Sequence, residues 1–162
     1  MFLEKNILRI QKFDFEDGKS QPRDKFIIIL FITGEDAILA PLTTSVDTVP
    51  DHHKIARCIK DDPSCIHCYF IPKQLVIGEL GFYFPKDTFI HVHPSNLKNR
   101  KVSNLKTKYE AKGVVELKDV LTIGEYSDLL YCIYKSHHVP RGIKRALEPV
   151  IDTLEKQRAG LS

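Results

Sequence analysis

Two apolar runs joined by a tight turn constrain this chain most. Phe26-Ile27-Ile28-Ile29-Leu30-Phe31-Ile32 is strand-length and rich in β-branched and aromatic residues. Gly34-Glu35-Asp36 reverses the chain, and Ala37-Ile38-Leu39-Ala40-Pro41-Leu42 returns. Pairing the runs as antiparallel strands lets the turn set their register. Arg23, ahead of the first run, is then carried towards Thr43-Thr44-Ser45, which closes the second. A guanidinium offers planar paired donors and stays charged, so an arginine fixed beside hydroxyls is a candidate phosphate site. The same residues also suit a plain sheet edge, with Arg23 as its charged cap and the threonines as strand formers.

At 162 residues the chain is long enough to bury a core, and it is read as one domain over 1–162. Hydrophobic residues at 43% and charged residues at 28% describe an ordinary globular composition. No apolar run approaches the roughly 18 residues of a membrane span. The first 13 residues, MFLEKNILRIQKF, interleave charge too closely for a signal peptide. No membrane association and a cytoplasmic location are therefore expected. The formal charge of +3 is modest, but it is unevenly spread. Lys98, Arg100, Lys101, Lys106, Lys108 and Lys112 follow one another around Tyr109, opposed by Glu110. Such a run suits a phosphate backbone, with the ring stacking on a base, and it equally suits a solvated loop.

The first two-thirds of the chain reads as strands, over 6–12, 26–32, 37–42, 68–71, 88–93 and 114–117, separated by glycine and proline punctuation. Residues 46–64 are polar and irregular, with a helical turn near 53–58. The last third reads as helix. Thr122-Ile123-Gly124-Glu125 has capping-box spacing, in which hydroxyl and carboxylate both satisfy amides at a helix start. Leu129, Leu130, Ile133 and Tyr134 then share a face. After a turn at His137-His138, a second helix opens near Pro140 and ends near Ala159-Gly160. Ile143, Leu147, Val150, Ile151 and Leu154 form its apolar stripe, and Pro149 is expected to kink or divide it. Strands first and helices last predict a small α+β domain, or a barrel decorated by helices.

This order resembles the MazF/PemK-like toxins. Gln21-Pro22-Arg23 ahead of the aliphatic strand, and Ala40-Pro41-Leu42-Thr43 at the end of the next, look like the family's arginine and alanine-x-x-threonine motifs. Val114-Val115-Glu116-Leu117-Lys118-Asp119-Val120-Leu121-Thr122-Ile123 is similar to the late strand and turn before its C-terminal helix. The two matching blocks are 17–45 and 112–154. Three departures stand out. Asn6-Ile7-Leu8-Arg9 replaces a glycine-aspartate pair, Asp24 replaces the usual proline after the arginine, and 47–96 looks like an irregular insertion.

The resemblance implies an SH3-like small β-barrel with C-terminal helices. It also implies a metal-independent endoribonuclease that uses no cofactor and cleaves single-stranded RNA by attack of the 2′-hydroxyl on phosphorus. Arg23 would stabilise the phosphorane and Thr43 would hold a phosphate oxygen or orient the attacking group, with Thr44 and Ser45 in support. Lys98, Arg100, Lys101, Lys106 and Lys108 would carry the RNA. A small antitoxin protein and a homodimer come with the resemblance. It leaves the proton acceptor unassigned, and His91 qualifies only through an ordinary pKa near neutrality. The alternative is a non-catalytic SH3-like module that binds nucleic acid or protein.

A third reading rests on Cys58, Cys65, His67 and Cys68, with His52 and His53 upstream. Three thiolates and an imidazole suit tetrahedral zinc, although the second Cys-x-x-Cys of a strong zinc motif is absent. Cys65-Ile66-His67-Cys68 also looks like a disulfide-exchange motif. The residues after it read as a strand rather than the activating helix such motifs use. Reduced thiols at a half-buried strand end are expected. His91 and His93 alternate and share a strand face.

Overall fold

The computed structural model describes residues 1–43, 56–61 and 66–160. Thr44, Ser45, His52, His53 and Cys65 lie outside the described residues. Two antiparallel sheets and three helices make a mixed α+β architecture. The first sheet runs β7-β3-β2-β1-β8, from strands β1 (Asn6–Phe13), β2 (Arg23–Thr33), β3 (Asp36–Pro41), β7 (Lys98–Lys101) and β8 (Val115–Val120). The second runs β4-β5-β6, from β4 (Cys58–Asp61), β5 (Ile66–Ile71) and β6 (Thr88–His91). Both sheets are open among the described residues. The span 47–96 thus contributes the second sheet.

β2 is apolar from Phe26 to Ile32 because both of its faces are covered over most of that stretch. Ile28, Leu30 and Phe31 pack with Ile7, Ile38, Tyr69, Ile90 and the C-terminal helices. Ile27 and Ile29 pack on the other side with Leu8, Ile10, Phe13, Leu39, Leu105 and Tyr109. The last two belong to a feature not expected from the basic run. In place of a loop, the chain forms the edge strand β7, the short helix α1 (Val102–Leu105) and a π-helical turn (Lys106–Glu110). Leu105 and Tyr109 supply the apolar anchors that fold it against the sheet.

α2 (Ile123–Tyr134) starts at Thr122, whose hydroxyl accepts from the Glu125 amide at 3.3 Å. The expected capping box is only half present. The Glu125 carboxylate turns instead to Arg57 and to the Tyr69 hydroxyl, at 2.8 and 2.7 Å. α3 (Arg141–Arg158) continues through Pro149 undivided. Pro149 and Arg145 are exposed, so the Arg145 carbonyl, which loses its helical partner to the proline, faces water. No helix among the described residues is long and apolar enough to cross a membrane.

Candidate functional site

The register between β2 and β3 decides which side chains meet. Next to the turn, Phe31, Ile32 and Thr33 pair with Ile38, Ala37 and Asp36. A bulge between Ile29 and Phe31 then shifts the ladder by one residue, so that Ile27 pairs with Pro41 and the Leu42 amide reaches the Phe26 carbonyl. Continuing this count sets Thr43 opposite Lys25, whereas an unbulged hairpin would set Thr44 there. At Thr43 the chain leaves β2 and crosses to the second sheet, exchanging backbone hydrogen bonds with Phe89 at 2.8 and 2.9 Å. Thr43 therefore sits in the seam between the sheets, half-buried.

Lys25 is the cation that reaches this seam. Its Nζ donates to the Leu42 carbonyl at 3.0 Å. Burial lowers its pKa, and the neighbouring Arg23 lowers it further. Strand alternation puts Arg23 and Lys25 on one face and Asp24 on the other. Asp24 accordingly does not neutralise Arg23. Its carboxylate pairs with Arg9 at 3.0 Å and accepts from the Lys12 amide at 3.0 Å. Arg23 is exposed and lies over the Phe15 ring, 5.5 Å from its centre. Lys98 approaches the same ring at 5.9 Å. Burial lowers the Lys98 pKa and Arg100 adds to the effect. On the other flank His91 is half-buried, and burial followed by the charge of Lys25 holds its pKa below 6.5. The Asn96 side-chain amide ties this flank together, donating to the Pro41 and His91 carbonyls at 3.3 and 2.9 Å.

The result sets three like charges around this end of β2, Arg23 and Lys98 at the Phe15 ring and Lys25 at the Leu42 carbonyl, next to the seam that Thr43 crosses. No carboxylate forms an ion pair with any of the three among the described residues. Like charges held close together attract an anion, and at Lys98 nearby Asp17 and Glu16 offset part of that effect.

The rest of the basic run is less available. Arg100 pairs with Glu16 at 3.1 Å and donates to the Phe15 carbonyl at 3.0 Å. Lys108 pairs with Asp14 and Glu16 at 2.9 and 3.3 Å. These contacts hold the β1–β2 loop down over β7, and the Lys108 bond keeps Asp14 below the usual carboxylate range. Lys101 and Lys106 are exposed, but β7 turns Lys101 away from Lys98 and Arg100. The five expected RNA contacts therefore divide between one cation at the seam, two tied to the loop and two on open surface.

Sequence reasoning missed Lys25, Phe15 and their relation to the seam. Alternation with Arg23 was an available signal for Lys25; the bulge that brings it opposite Thr43 was not.

The described members of the cysteine cluster do not come together as the zinc reading would require. Cys58 is joined to Cys132 of α2 in a disulfide, with 5.5 Å between the Cα atoms, so it offers no thiolate. Cys68 and His67 are adjacent on β5 and point to opposite faces. His67 is buried and hydrogen-bonded to Ser136 Oγ at 2.7 Å, and Cys68 is fully buried with its thiol pushed up to about 11. The His67 and His93 rings lie 5.5 and 6.3 Å from that of His138. No group of three or more His, Cys, Asp or Glu among the described residues is arranged to hold a metal ion.

Compared with known proteins, the chain matches no family model, no curated sequence and no solved structure.

Proposed function

We propose that this chain is an endoribonuclease of the MazF/PemK type that cleaves single-stranded RNA by metal-independent transesterification. The observation that carries the reading is the group Arg23, Lys25 and Lys98, none of them ion-paired among the described residues, at the end of β2 next to the seam that holds Thr43. In this reading a phosphate sits between Arg23 and Lys25, and the Thr43 hydroxyl donates to one of its oxygens. The 2′-hydroxyl attacks phosphorus and passes its proton to His91, which is neutral at pH 7 because burial and Lys25 depress its pKa. Arg23 and Lys25 stabilise the extra charge on the phosphorane. The Lys25 ammonium, made more acidic by burial, protonates the departing 5′-oxygen. Phe15 offers a ring to the flanking base. An SH3-like ancestry, homodimerisation, an antitoxin partner and action in the cytoplasm belong to the same proposal.

The test is cleavage of a long single-stranded RNA in EDTA. Wild type is expected to leave cyclic-phosphate and 5′-hydroxyl ends, and Arg23→Ala or Lys25→Ala to lose about 100-fold or more, the scale for removing one prepositioned donor. Thr43→Ala is expected to lose less. RNA binding without cleavage by folded, antitoxin-free protein would replace this reading with the non-catalytic module.

A further inference from the structure

A cavity away from the cationic seam has the Cys58–Cys132 disulfide in its wall. It measures about 390 Å³ and is lined by Arg57, Cys58, Tyr69, Asp128, Tyr131, Cys132 and Lys135. That volume lies within the range of small-molecule sites, about 300–1,000 Å³. We propose that this disulfide is a thiol-exchange site, at which a small zwitterionic thiol of the cysteine class is captured and becomes disulfide-bonded to Cys58.

Three features support this assignment. The first is access. Thiolate attack requires approach in line with the S–S bond. Cys132 is 1% exposed and Cys58 is half-buried, so the open approach is to the Cys58 sulfur with Cys132 as the leaving group. The second is charge. Arg57 is already committed, donating to Glu125, to the Phe70 carbonyl and to the Tyr69 hydroxyl. Exposed Asp128 and Lys135 remain at the rim with opposite signs. Asp128 has a single long contact to Arg158 at 3.5 Å, and Lys135 Nζ lies over the Tyr131 ring at 5.5 Å. Asp128 suits the ammonium of the ligand and Lys135 its carboxylate. The third is the leaving group. Cys132 Sγ lies 3.8 Å from the Cys68 carbonyl, a contact a disulfide sulfur cannot use as a donor and a thiol can.

The exchange balances as one incoming thiol plus the Cys58–Cys132 disulfide giving a Cys58 mixed disulfide plus a Cys132 thiol. The thiolate forms the new S–S bond, the old bond breaks, and Cys132 takes up the proton the ligand gave to solvent. Cys68 does not intercept the product, because it is fully buried and ionises only near pH 11.

The experiment exposes the folded protein to graded L-cysteine or 2-mercaptoethanol at pH 7.5, followed by acid quench, alkylation and peptide mapping. A cysteine adduct on Cys58 is expected, forming at a rate proportional to thiol concentration. The Asp128→Asn, Lys135→Gln double variant changes two exposed groups. It is expected to slow the reaction with L-cysteine about three- to tenfold, the scale of two exposed ionic contacts, and to leave the neutral thiol unaffected. The proposal is overturned by an adduct on Cys132, by a rate independent of thiol concentration, or by a double variant that alters both thiols equally or neither. None of these readouts involves RNA, so they stand apart from the nuclease assignment.

Discussion

β2 and β5 are both apolar central strands, yet they are held in place differently. β2 lies between its neighbours in sequence, β1 and β3, and buries side chains on both faces from Ile27 to Phe31. Its position follows from a hairpin turn and a large apolar area. β5 stands in a smaller sheet: Tyr69, Ile71 and Ile90 join the shared core, and among the described residues its other face packs in a small cluster of Ile59, Cys68, Phe70 and Phe89. Point attachments to distant elements add to that packing: Cys58 to Cys132, Arg57 and Tyr69 to Glu125, and Phe89 to Thr43. The candidate site lies where the two meet. Its geometry therefore depends in part on those point attachments, and single substitutions at them should have effects out of proportion to the area they remove.

The largest expected effect comes from replacing Cys58 and Cys132 together by alanine. The pair is 74 residues apart in sequence, and restoring that loop freedom to the unfolded chain costs about 4 kcal/mol on the chain-entropy account. Denaturant melts give the total, and amide exchange should place the lost protection in β4 and β5. Equal loss across β1 to β3 would remove the contrast between the sheets. Next is Glu125→Ala, which takes a charged acceptor from both Arg57 and Tyr69. About 2 kcal/mol is expected from the same melts, with the N-terminal turn of α2 still helical because the Thr122 hydroxyl remains.

A smaller effect should appear with pH. The folded-state pKa of His91 is held below its ordinary 6.5 by burial and by Lys25, so the unfolded chain binds its proton more readily. Stability is therefore expected to fall as pH drops through 6.5, and the loss to stop growing below the folded-state value. Comparing melts of wild type and His91→Gln at pH 7.5 and pH 5.5 isolates this term. Asp14, whose pKa is lowered from 3.8, contributes to acid sensitivity only well below that window. The smallest effect is expected in the first sheet, from Arg9→Ala. Its pair with Asp24 is exposed, 37% and 50% for the two side chains, and should be worth about 0.5 kcal/mol or less. A much larger loss would mean that the first sheet also leans on point contacts.

Much of the first sheet was legible because its signals are local. The run from Phe26 to Ile32 and the turn at Gly34 identify a hairpin without knowledge of anything else. Thr122 marks the start of α2 for the same reason, since a cap needs only residues three positions apart. Of the residues argued for the candidate site, Arg23, Thr43 and Lys98 stood out in the sequence, while Lys25 and Phe15 did not. The basic run was not legible as strand, helix and π-helical turn because its anchors, Leu105 and Tyr109, are two apolar residues among many charges, too sparse to show a period.

By itself the sequence determined the hairpin, the strand-then-helix order and the capped start of α2, since each follows from the conformational preference of a few consecutive residues. Tertiary structure alone decided the one-residue shift at the β2 bulge, which sets Thr43 rather than Thr44 opposite Lys25. It also turned the Glu125 carboxylate from the helix cap to Arg57, and joined Cys58 to Cys132 rather than leaving it with its neighbours Cys65 and Cys68. Each of these outcomes depends on which distant groups packing brings within bonding distance, and local periodicity carries no record of that.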